Sequence, residues 1–149
     1  MAEEYCVFLG EESAIAALEK SHFAIKSFEY SSGVRVVPYT SRLHKALCCE
    51  YGENPPGGYL KGSNSLCGAV ADLLENASVN GKVAYIFEEH FGGWRDCESI
   101  LWENGELIFG PSLEHTDQIK VLGQMHITKE AIYYFKKYDD PDGWLRESC

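Results

Sequence analysis

Long apolar runs are missing from this chain of 149 residues. No stretch approaches the roughly 20 consecutive apolar residues that a membrane-crossing helix needs. Basic residues are scarce: 13 Lys and Arg stand against 23 Asp and Glu, for a net charge of −10. Such a surface repels phosphate backbones and anionic lipid, so neither nucleic acid nor membrane is an expected partner. A basic protein surface is the better match, because complementary charge speeds encounter. Acidity that only maintains solubility is the alternative. The opening MAEEYCVFLGEES has no basic segment leading into a long apolar core, as a secretion signal would. A cytoplasmic location is therefore the expectation, with the six cysteines reduced.

Several motifs are also absent. There is no G-x-G-x-x-G, no phosphate-binding Gly-Lys-Ser/Thr loop, no H-E-x-x-H, no EF-hand loop and no G-x-S-x-G elbow. No C-x-x-C pair exists, and adjacent Cys48 and Cys49 would point to different faces of a helix. Neither a metal site nor a cofactor is expected.

What is present is an ordinary globular balance, with 45% hydrophobic residues and 24% charged ones. The length favours one domain spanning residues 1–149. Proline is concentrated: two of the five sit in GENPPGGYLKGSNS, residues 52–65, the one loop-rich region. Residues 5–9 (YCVFL) suit a strand, and residues 11–20 carry Ala14, Ile15, Ala17 and Leu18 at helical spacing. Residues 23–30 and 34–39 flank a Ser-Ser-Gly turn and read as a hairpin. Ser41 reads as the N-cap of a helix over residues 42–51.

In the second half, residues 65–77 form the clearest helix pattern, with Leu66, Ala69, Val70, Leu73, Leu74 and Ala77 on one stripe. Residues 82–91 read as a strand. Asn104-Gly105 signals a type I′ hairpin, because both central positions need positive φ. That turn sets Trp102 opposite Leu107, Ile100 opposite Phe109, and Glu103 opposite Glu106. The four apolar residues are expected on one core-facing side. A last helix is expected from Thr128 to residue 137. The fold class that follows is α+β: a mainly antiparallel sheet, a β-meander in the C-terminal half, and helices packed on one face.

Three groups of residues could carry function. The first is EEHFGGWRDCES, residues 88–99. It reads as a polar loop, with Trp94 among charges, as binding surfaces use. Trp94, Glu88, Glu89, Arg95, Asp96 and Glu98 are the expected partner-binding residues. A solvated rim is the plainer reading. Glu88 and His90, on one face of a strand, could instead do acid–base work. The second is Cys67, near the start of the clearest helix, where the thiolate is favoured. It resembles the nucleophile of papain-like cysteine–histidine hydrolases. That resemblance implies His90 as the histidine, with Glu88 or Asp96 orienting it. Leu66 and Gly68 flank Cys67 where those families carry a polar neighbour, and a packed structural thiol is the alternative. The third is His44 with Cys48, one helical turn apart, a spacing that suits a metal but supplies only two ligands. His22, His115 and His126 show no recognisable spacing. Tyr51 and Tyr59 could also line a small-molecule pocket under the Pro-Pro-Gly-Gly loop.

The block VAYIFEEHFGGWRDCESILWENGELIFGP resembles, in its strand–Gly-Gly–strand–Asn-Gly–strand pattern, small acidic bacterial immunity-type proteins of polymorphic toxin systems. The resemblance implies a cytosolic, non-enzymatic protein that binds and blocks a toxin domain.

Overall fold

The computed structural model describes residues 3–31, 33–48, 58–91 and 94–127. The elements run in the order β1 (Glu3–Glu11), α1 (Glu12–Ser21), β2 (Phe28–Ser31), β3 (Val34–Pro38), α2 (Ser41–Cys48), α3 (Gly68–Ala77), β4 (Val83–Phe91), β5 (Trp94–Glu103), β6 (Glu106–Ser112) and α4 (His115–Gln124). The six strands form one sheet in the order β2-β3-β1-β4-β5-β6. Every pairing is antiparallel. The α+β class and the β4–β5–β6 meander are as expected. No helix among the described residues is long and apolar enough to cross a membrane.

The short apolar runs at residues 5–9 and 83–87 have a simple cause. β1 and β4 lie at the centre of the sheet, and both of their faces are covered. Cys6 and Phe8 of β1, with Val83, Tyr85 and Phe87 of β4, face one core. Val7, Leu9, Ala84 and Ile86 face a second core on the other side. The first core is roofed by the apolar stripes of three helices: Ala14, Ile15 and Leu18 of α1, Leu43 and Leu47 of α2, and Val70, Ala71, Leu74 and Ala77 of α3. The second core is roofed by Val121 and Leu122 of α4. The helices are therefore not all on one face, and α4 closes the opposite side.

Two caps differ from expectation. Thr40 Oγ1 accepts the Leu43 amide at 3.0 Å, so Thr40, not Ser41, caps α2. The third helix starts at Gly68, not Ser65. The Ser63 hydroxyl accepts the amides of Ser65 and Leu66 at 3.2 and 2.9 Å, which holds residues 63–66 in a turn. The helix expected over residues 128–137 lies outside the described residues.

The Asn104-Gly105 turn forms with φ of 56° and 78°, and Trp102 opposes Leu107 while Glu103 opposes Glu106. The expected Ile100–Phe109 pair does not form, because a bulge in β6 places Phe109 opposite Leu101. Phe109 therefore packs against the second core, while Trp102 is fully buried in the first. Leu107, expected inside, is 40% exposed.

Candidate functional site

Residues 88–91 end the expected strand, β4, and residues 94–99, read as part of a polar loop, begin the paired strand β5. Glu88 opposes Cys97, Glu89 opposes Asp96, His90 opposes Arg95, and Phe91 opposes Trp94. On the other side of β4, β1 places Glu4 opposite Glu89 and Tyr5 opposite Glu88. Positions 4, 89 and 96 thus form one cross-strand row of three acids on β1, β4 and β5. Directly opposed like charges destabilise a sheet by about 0.2–1 kcal/mol per pair. Asp96 is exposed and Glu89 half-buried, so this row lies at the open end of the sheet. By strand alternation the Phe91–Trp94 pair is the next row along the same face.

Two of the expected partner-binding residues are internal instead. Glu98 is 2% exposed. It accepts the Ser63 hydroxyl and, at 2.9 Å, the Asn64 amide, and so clasps the segment before α3 onto the sheet. Glu88 is 0% exposed, and its Oε1 lies 3.8 Å from His115 Nδ1 of α4. Neither carboxylate can meet a partner's surface. Strand alternation could not reveal this, because both faces of the sheet are covered at that level. Glu89 and Asp96 keep their place on the surface. The side chains of His90, Trp94 and Arg95 lie outside the described residues.

The expected Cys67–His90 pairing is not what the topology builds. Position 90 shares the parity of Glu88, on the α4 face, whereas Cys67 belongs to the core on the opposite face. Cys67 meets a different histidine. The Leu60 amide donates to Leu66 O at 2.9 Å, and the Gly68 amide donates to Gly58 O at 2.7 Å. These bonds, with a bridge between Tyr59 and Cys67, close residues 58–68 into a tight return. The return delivers Cys67 to the N-cap of α3, beside α2. There, one donor atom each from His44, Cys48 and Cys67 lie within 4.8 Å of one another. His44 Nδ1 is 2.5 Å from the Tyr39 hydroxyl and 3.8 Å from Cys48 Sγ. Tyr39 and Cys67 are buried, while His44 and Cys48 are half-buried. None of Cys6, Cys48, Cys67 and Cys97 is in a disulfide.

A second polar centre lies nearby. Tyr85 is fully buried, and its hydroxyl meets Cys6 Sγ at 3.3 Å and Ser65 Oγ at 2.8 Å. Burial pushes the phenol well above its ordinary range, and Cys6 adds to the shift. Tyr85 is thereby a neutral strut linking β1, β4 and the segment before α3.

No pocket is described under the Pro-Pro-Gly-Gly segment, since residues 51–57 lie outside the described residues; Tyr59 is 56% exposed. An open groove runs instead between the β2–β3 edge and α2, lined by Phe23, Phe28, Pro38 and Leu43 with Lys26 and Arg42. No family model matches the chain, and neither a curated protein nor a solved structure shows detectable similarity to it.

Proposed function

We propose that this protein is a non-enzymatic protein-binding domain that presents the open end of its β1–β4–β5 sheet to a basic partner. The acid row at positions 4, 89 and 96 carries the reading. Like charges placed opposite one another cost stability in the isolated chain, and a cationic partner removes that cost. Trp94, one row beyond, supplies an aromatic anchor where an interface gains most of its energy. The mode of action is occlusion, as in the immunity-type inhibitors that the hairpin block resembles. Glu89, Asp96, Trp94 and Arg95 form the contact, with Glu4 added. Glu88 and Glu98 support it from within.

The alternative, a cysteine-dependent hydrolase, would use Cys67 with His90, whereas the histidine whose ring nitrogen lies within 4.8 Å of the Cys67 sulfur is His44. Cys67 is 2% exposed, which gives a substrate carbonyl little access to its sulfur.

The test is capture from a lysate of the source, comparing the unmodified chain with the Glu89→Lys, Asp96→Lys double variant. A basic partner held at low salt, released as salt rises and lost in the variant is the expected result. Equal retention by both proteins would remove the acid row from the interface.

A further inference from the structure

We propose that His44, Cys48 and Cys67 bind one thiophilic divalent metal ion of the Zn2+ class. His44 and Cys48 are four residues apart on α2, which places them one above the other on one helix face. The missing third ligand comes from a distant segment. Cys67 reaches the same point from the N-cap of α3, and the three donor atoms lie within 4.8 Å of one another.

The donor chemistry and the spacing agree. Two thiols and an imidazole are the ligand types that Zn2+ selects from among the common divalent ions. With Zn–S near 2.3 Å and Zn–N near 2.0 Å, a tetrahedral ion holds its donors about 3.5–3.8 Å apart. The Cys48 Sγ–His44 Nδ1 separation is 3.8 Å. The other two separations among the three donor atoms are no more than 4.8 Å.

The surroundings fit as well. The Tyr39 hydroxyl lies 2.5 Å from the same Nδ1 and gives up that contact when the ion takes the nitrogen. The N-terminus of α3 favours the negative charge that two thiolates bring to the site. Burial that hinders a bulky substrate does not hinder an ion. Three protein donors leave one tetrahedral position, as in zinc sites that also hold water or a small ligand.

The test uses the full chain, reduced with a non-chelating reductant, freed of metal and titrated with Co2+ and then Zn2+. The expected result is one equivalent of tetrahedral cobalt with thiolate-to-cobalt charge transfer, displaced by Zn2+. Zn2+ should also raise the melting temperature of the unmodified chain, a readout that needs no variant. Cys48→Ser and Cys67→Ser, each checked for native circular dichroism, should each weaken binding at least tenfold. Tyr39→Phe, which removes the hydroxyl that competes with the ion for Nδ1, should keep the cobalt spectrum and not weaken binding. Absence of thiolate–cobalt bands in the unmodified chain would overturn the proposal. So would bands that survive in both cysteine variants, since these would arise from other thiols.

Discussion

Glu98 shows how much a single side chain can decide here. It lies in a strand of alternating character, yet its carboxylate is spent on the Ser63 hydroxyl and the Asn64 amide. Glu98→Ala would leave the buried Ser63 hydroxyl and the Asn64 amide without that acceptor. The expected loss is about 1.5–3 kcal/mol, the scale for hydrogen bonds to a charged group. Urea denaturation checks it, and a loss under about 0.5 kcal/mol would show the clasp to be dispensable. Tyr85 makes a second residue-scale prediction. Its folded pKa is raised, with burial the main cause. Below about pH 10 both folded and unfolded chains keep the phenol proton, so the group adds no pH dependence. Above that, the unfolded chain loses its proton first. Stability should then fall as pH rises through the window between the unfolded and folded values. Urea midpoints from about pH 8 to about pH 11 should fall less steeply in Tyr85→Phe than in the unmodified chain. Parallel profiles would contradict the assignment.

At the scale of elements, β6 departs furthest from the pattern that its Asn-Gly turn implies. The turn itself is local, and forms as expected. The register beyond it is set by a bulge, and by Gly110 at φ 83°. A Cβ at Gly110 would stand 2.4 Å from the Ser99 carbonyl oxygen, in a conformation L-residues rarely adopt. Gly110→Ala should therefore cost at least about 2 kcal/mol, combining left-handed strain with the displaced backbone. A urea midpoint within error of the unmodified chain would show that β6 can move aside without penalty. The fourth helix was hidden in the sequence for a related reason. Its buried positions are Gln118, Val121 and Leu122, so a polar residue interrupts an already short stripe. Gln118 is accepted inside because its Nε2 donates to the Phe87 carbonyl oxygen at 3.3 Å. Periodicity counts only apolar residues and misses a face completed by a hydrogen bond.

Across the whole molecule, charge and core are distributed differently. The two cores sit on opposite faces of one sheet, and the acid row lies beyond them at the open end of three strands. A net charge of −10 makes long-range attraction to a cationic surface a matter of rate as well as affinity. Charge reversal at Glu89 and Asp96 should slow association more than it hastens dissociation, and the difference should shrink as salt screens the field. Stopped-flow or surface-based kinetics with the captured partner would check this. An effect confined to dissociation would place the two acids inside a desolvated contact, not on its rim.

The sequence by itself determined the elements whose signals are local. Helical spacing in α1 and α3, alternation and β-branched content in the strands, and positive φ at Asn104-Gly105 depend on neighbours a few residues away. Those signals also established the α+β class and the meander. Tertiary structure decided which acids are surface and which are struts, because burial of Glu88 and Glu98 depends on α4 and on residues 63–64 arriving from elsewhere in the chain. It also decided the neighbours of Cys67. Local spacing joined His44 to Cys48, but only the closed return of residues 58–68 brings the third sulfur to them. A site assembled from two separate segments leaves no spacing rule in the sequence, since the intervening residues can vary without changing where the chain returns.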